Sequence, residues 1–211
     1  MMSSDLSFKI ITIGDSGVGK TAIIRRFVFN TFELNNLSTI GVNFSFKDAI
    51  LKNGKSVKLK LIDTAGEEKY KSLSKSYFRN TDGVLFVFAI NDLDSFQNIT
   101  EWIKLFNDNN SGKDLPKYLI GNKDDLEENR AVNQELIDKF IKENNNEYEY
   151  RSVSALNDDK RIDELFQEMA EKLFNNYKEG KQSAIHLDKN KQNPQPKKSN
   201  CKICDVTSNE Q

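Results

Sequence analysis

Near the start of the chain, Gly14-Asp15-Ser16-Gly17-Val18-Gly19-Lys20-Thr21 fits the spacing G-x-x-x-x-G-K-[ST]. Glycines at such positions let the backbone curl so that successive N–H groups point inward and line a concave site for anionic oxygens. A helix opening behind them adds partial positive charge. Ser16, Gly17, Val18, Gly19, Lys20 and Thr21 are therefore candidate phosphate ligands. Lys20 would reach the β- and γ-phosphates, and the Thr21 hydroxyl suits magnesium. The bland alternative is a coincidental glycine turn, which average composition produces about once in a hundred chains of this length. The loop alone does not choose between adenine and guanine nucleotides, or between a kinase and a switch.

Three further segments address that choice: Asp63-Thr64-Ala65-Gly66, Asn122-Lys123-Asp124-Asp125 and Ser154-Ala155-Leu156. Each follows an apolar run with strand character, and open α/β sheets bind ligands at the carboxyl ends of their strands. A carboxylate at Asp125 can accept hydrogen bonds from guanine N1–H and the exocyclic amine, which adenine cannot reproduce. A site built this way rejects the wrong base because its buried carboxylate is left unpaired. In isolation, residues 122–125 would be a solvated turn. As one member of an ordered set they read as the base-recognising loop.

In order and spacing, these four segments resemble the nucleotide-binding set of the Ras-like small GTPases, over residues 7–177. The resemblance implies bound GTP or GDP with Mg2+, held by Thr21, Thr39 and Asp63. It implies base contacts from Asn122, Lys123, Asp125, Ser154, Ala155 and Leu156. It also sets Phe32 against the guanine edge, although that residue could simply be an apolar helix end. Lys20, Thr39, Gly66 and Glu67 are the implied catalytic positions. Ile40-Gly41-Val42-Asn43-Phe44, Lys69-Tyr70-Lys71-Ser72-Leu73-Ser74 and Ser76-Tyr77-Phe78-Arg79 resemble the Rab branch. An effector surface at Ile40, Gly41, Phe44, Ile62 and Tyr77 follows, with Ile62 where a tryptophan is usual and Tyr77 equally able to fill a hydrophobic gap. The implied partners are an exchange factor, a GTPase-activating protein and effectors of vesicle traffic. The implied protein is monomeric and cytoplasmic, on the cytosolic face of endomembranes.

The chain departs from the family in three places. Glu67 stands where a glutamine usually orients the attacking water. An ionised glutamate can only accept hydrogen bonds, and its charge opposes the phosphates. Two outcomes stay open: slow hydrolysis with a long-lived GTP form, or a solvent-facing Glu67 with the missing groups supplied by a partner. Leu156 replaces a lysine, which should weaken base binding without abolishing it. Cys201 and Cys204 are candidate lipidation sites, but residues 205–211 follow them, so they form no terminal prenylation box. A structural zinc site wants four ligands, and only the distant His186 remains.

The elements that must position these residues follow from hydrophobic period. Strands are predicted at 8–13, 42–51, 57–62, 84–90, 118–121 and 148–153, and helices at 20–29, 95–106, 133–142 and 162–174. Asn53-Gly54 predicts a hairpin between the second and third strands. Alternating strands and helices give a three-layer α/β P-loop domain, a mostly parallel six-stranded sheet with helices on both faces. It spans residues 7–178, and a polar tail over 179–211 should be disordered. With a net charge of −1, no global field attracts nucleic acid. The longest apolar run, 84–90, falls short of a membrane span, and no signal peptide is visible.

Overall fold

A strand covered by helices on both faces must be apolar throughout, and β4 (Gly83–Ala89, GVLFVFA) is buried at every position. The computed structural model describes residues 6–33, 39, 41–65, 76–110, 115–157 and 160–191, with side chains to residue 179. The other strands are β1 (Ser7–Ile13), β2 (Val42–Ile50), β3 (Ser56–Thr64), β5 (Lys117–Asn122) and β6 (Glu149–Ser152). They form one sheet in the order β2-β3-β1-β4-β5-β6, antiparallel between β2 and β3 and parallel elsewhere. The helices are α1 (Lys20–Phe29), α2 (Leu93–Gln97), α3 (Ile99–Asn109), α4 (Gln134–Glu143) and α5 (Arg161–Lys191). A 3₁₀ turn covers Asp124–Asn129.

The side-chain period of a strand sends neighbours to opposite faces, so Ile10 and Ile11 of β1 belong to different cores. On one face Ile10, Ile23, Leu59, Val87 and Phe166 pack together, with Phe27 of α1 stacked on Phe166 of α5 at 4.1 Å. On the other, Ile11, Phe86, Phe88, Trp102 and Phe106 form the second core, the Phe86 ring meeting Phe106 edge-on at 5.8 Å. Each such large side chain contributes roughly 1.5–3 kcal/mol on burial. The sheet is thereby fixed with its strand ends aligned.

Local chemistry sets the connections. In the predicted hairpin, the Gly54 amide donates to the Leu51 carbonyl at 2.8 Å and Lys55 N to Asn53 Oδ1 at 3.0 Å. Gly54 sits at φ +78°, a conformation that favours glycine. Asp92 caps α2 by accepting from Ser95 N at 3.1 Å, and Asn133 caps α4 by accepting from Leu136 N at 2.9 Å.

Two expectations need correction. The helix predicted over 95–106 is two helices joined at Asn98, where Glu101 N tightens onto the Asn98 carbonyl at 3.0 Å. The hydrophobic spacing persists through that junction, so periodicity could not reveal it. The expected disorder from residue 179 is also revised, because α5 is helical to Lys191. Residues 178–191 hold four lysines and no proline, so helix propensity can outlast the apolar pattern. The chain divides into two units, Met1–Asn175, which holds the sheet, and Asn176–Gln211. Among the described residues no helix is long and apolar enough to cross a membrane.

Candidate nucleotide-binding site

The carboxyl end of β1 runs directly into the glycine loop. Gly14 has no alternative there: a Cβ would lie 2.1 Å from the Val87 carbonyl oxygen on the neighbouring strand. Gly19, at φ +96°, precedes α1 and offers no side-chain cap. The first-turn N–H groups of α1 are thus left to an external acceptor, the arrangement that suits phosphate. Gly17, at φ +76°, is exposed, and the space beside its Cα is open to 4 Å.

Lys20 is almost fully buried at 5% exposure, and its Nζ donates to the carbonyls of Gly14 (2.8 Å) and Asp15 (2.7 Å). Burial brings its pKa down to about 8, with Asp63 and Asp15 drawing it back up. An ammonium carries three donors, so one is left to meet an anionic oxygen.

Three oxygen-bearing side chains converge beside it. The Thr21 hydroxyl donates to Asp63 Oδ2 at 2.7 Å and lies 2.8 Å from the Thr39 hydroxyl. Thr21 has a single proton to give, so Thr39 is the donor in that second contact. Asp63 is buried, which raises its pKa against the Thr21 hydrogen bond and the charges of Lys20 and Arg25. Its Oδ1 has no hydrogen-bond partner among the described residues. A buried carboxylate with an orphaned oxygen is costly unless a cation meets it. Two hydroxyls and a carboxylate are hard donors, and these residues fit Mg2+.

The base end is assembled from β5, β6 and α1. Asn122, 2% exposed, donates from Nδ2 to the Val18 carbonyl (2.8 Å) and accepts from Ala155 N at Oδ1 (3.2 Å). One amide thus ties the phosphate loop to both base-side segments. Lys123 adopts φ +66°, which turns the chain after β5. Ser154 donates to Asp125 Oδ1 and accepts from Asn157 N at 3.1 Å, fixing that carboxylate from one side. Asp125 Oδ2 has no hydrogen bond to any described residue and can serve a ligand.

Several supports escaped the sequence reading. Arg26, in the last turn of α1, donates to the carbonyls of Ala155 and Leu156, each at 3.0 Å. Asp124 accepts from Ser152 at 2.6 Å, Arg161 at 2.5 Å and Arg130 at 3.0 Å. Burial alone would raise the Asp124 carboxyl, but the Ser152 and Arg161 hydrogen bonds and both arginine charges hold it below the usual range. The one available signal was Asp124 itself, a second carboxylate in the base loop that the guanine reading left without a task.

Among the expected effector residues, Phe44 and Tyr77 meet edge-on at 5.5 Å, and Phe44 is 44% exposed. Ile62 is instead fully buried, which corrects its placement on that surface. It pairs with Phe44 across β2 and β3, and Val42 and Tyr77 pack on the same hydrophobic cluster. The Gly41 carbonyl accepts from Ala65 N at 2.9 Å. Phe32 packs against the α1-side core, and Leu156 is 45% exposed. Ile40, Gly66, Glu67, residues 69–74, Cys201 and Cys204 lie outside the described residues.

The sequence is similar to those of known proteins. Residues 9–175 match the family model described as Ras family. Ras-related protein Rab-13 of Bos taurus is 36% identical over 95% of this chain and 93% of its own length. Ras-related protein Rab-10 of Caenorhabditis elegans is 36% identical over 81% of this chain and 82% of its own. GTP-binding protein ypt3 of Schizosaccharomyces pombe is 37% identical over 81% and 77%. With the phosphate loop, the Thr21–Asp63 pair and the Asn122 tie all in place, the chain belongs to the Ras family, as a Rab-like small GTPase.

Proposed function

We propose that this chain is a GTP/GDP-binding switch of the Rab type that hydrolyses GTP slowly and regulates vesicle traffic through effectors bound in the GTP form. The observation that carries this reading is the convergence of Thr21, Thr39 and the orphaned Asp63 Oδ1 beside the buried Lys20. Mg2+ held there would neutralise phosphate charge. Thr39 links the segment before β2 to α1 through one hydroxyl contact. A γ-phosphate that orders Thr39 would therefore order the neighbouring surface that carries Phe44 and Tyr77. Loss of that phosphate would release it.

Ser16 to Thr21 bind the phosphates, with Lys20 supplying a buried positive charge. Asn122, Lys123, Asp125, Ser154, Ala155 and Leu156 hold the base, the Asp125 carboxylate choosing guanine. An exchange factor and a GTPase-activating protein would time the two states. The protein would act on the cytosolic face of endomembranes, with Cys201 and Cys204 as lipid attachment points.

Glu67 favours the slow rate and also a second reading, a hydrolysis-deficient module held mostly in its GTP form. A ten- to hundredfold loss of rate corresponds to about 1.4–2.7 kcal/mol of transition-state stabilisation. Single-turnover hydrolysis of preloaded GTP, compared with Glu67→Gln, tests the effect. A variant faster by at least about tenfold supports a brake at Glu67, in line with that energy range. Equal rates would remove it and leave an ordinary cycling switch.

A further inference from the structure

The second residue of the phosphate loop is an aspartate, which is electrostatically odd. Asp15 places a negative charge beside a site for negative phosphates, and Coulomb repulsion alone would weaken binding there. Both of its oxygens are engaged by donors at the start of α3. Asp15 Oδ1 accepts from Trp102 Nε1 at 2.6 Å, and Oδ2 accepts from Asn98 Nδ2 at 2.7 Å. Asn98 and Trp102 are four residues apart across the start of α3, so they present both donors on one face. Hydrogen bonds to an ionised acceptor are short and strong, as these are.

The anchor is packed into the core. Trp102 is 1% exposed, and α3 is held by Ile99, Ile103 and Phe106 in the second core. The Asp15 carbonyl, meanwhile, accepts from Lys20 Nζ. One residue therefore joins the packed helix on its side-chain side to the phosphate-reaching lysine on its backbone side. The Asn98 junction that divides the predicted helix is the point where one donor emerges.

We propose that Asp15, Asn98 and Trp102 form a clamp that fixes the phosphate loop to α3 and sets how long a nucleotide stays bound. These are positioning residues, and none of them needs to touch the nucleotide. The inference rests on the nucleotide-binding reading above. It gives Asp15 a role opposite in sign to its charge, so the two effects can be separated.

The test is release of preloaded mant-GDP from the full chain, chased with unlabelled GDP in Mg2+. Asp15→Ala removes both acceptors and the charge, and the clamp predicts release faster by about tenfold, the order of a lost charge-assisted hydrogen bond. Repulsion alone predicts slower release. Asp15→Asn can still accept from the indole and meet a flipped Asn98 amide, so it should release like the parent, although it lacks the charge. Asn98→Ala changes an exposed side chain and avoids the core. It should speed release, and Trp102→Phe, which keeps the Asp15 charge, should do the same. Combining either with Asp15→Ala should add little.

Trp102 is the chain's single tryptophan, so its emission gives a second readout. It should change at the rate at which chelation strips GDP from the parent. Slower release in Asp15→Ala, additive double variants, or tryptophan emission blind to GDP loss would each overturn the clamp. A parent that binds no guanine nucleotide would overturn the nucleotide reading and the clamp with it.

Discussion

Asn122 joins three segments through one side chain, and its truncation has a cost that can be worked from the structure. Asn122→Ala leaves the Val18 carbonyl and the Ala155 N–H without their partner, both in residues no more than 3% exposed. An unsatisfied buried backbone group costs about 1–3 kcal/mol, so the pair loses roughly 3 kcal/mol once water enters the vacated space. For a domain of this size, about 2–4 °C is lost per kcal/mol, and the midpoint should fall by about 6–12 °C. GDP affinity should fall as well, because the phosphate loop and the Ala155 segment lose their common register. Thermal melting with and without saturating GDP, plus GDP titration, measures both. Gly19→Ala attacks the same amide from the other side, since its Cβ would lie 2.2 Å from Asn122 Nδ2. The double variant should therefore be little worse than the worse single one. A midpoint within about 2 °C of the parent, a shift below that expected for a single kcal/mol, would refute the reasoning if GDP affinity were also unchanged.

Four other substitutions follow from the same geometry. Gly14→Ala drives a Cβ to 2.1 Å from a backbone oxygen of β4 and should leave no cooperatively folded protein; a melt like the parent's would contradict it. Arg26→Ala removes the two hydrogen bonds to Ala155 and Leu156 and should weaken GDP binding by about tenfold, whereas Leu156→Lys, altering an exposed side chain, should change it less than about threefold; a titration giving the reverse order would sink this ranking. Burial alone would raise the Glu168 carboxyl, but hydrogen bonds and charge from Lys172 and Arg151 bring it down to about 2, and its side chain is 35% exposed. Allowing for solvent screening, Glu168→Gln should cost about 1 kcal/mol at pH 7. Because the folded-state pKa is depressed, that contribution is complete above the unfolded pKa of 4.5 and fades as pH falls toward 2. Urea unfolding at several pH values reads it, and a pH-independent difference would disprove the ionic origin.

The strands and the local turns were legible in the sequence because each depends on residue types close in the chain. The β4 run, the Asn53-Gly54 hairpin and the glycine loop are local signals, and the structure places them within a residue or two of expectation. Contacts across the fold were not legible. The pairing of Asp15 with Trp102 joins residues 87 apart, and Arg26 reaches Ala155 across 129 positions. Nothing in hydrophobic period encodes either. Ile62 shows the same limit in reverse: its position in a motif suggested a surface, but it lies in the second core, which segments distant in sequence build. The end of α5 was missed for a different reason. Apolar periodicity measures burial, whereas the helix can continue on propensity alone.

A site of this kind should bind a guanine nucleotide and cleave its terminal phosphate. The most direct measurement extracts the nucleotide carried by the purified full chain, then follows one turnover of GTP and of ATP in Mg2+. We expect retained guanine nucleotide, with GTP converted slowly to GDP and one phosphate per chain, and ATP neither retained nor cleaved. Equal retention of ATP, or no retained guanine nucleotide, would contradict that expectation.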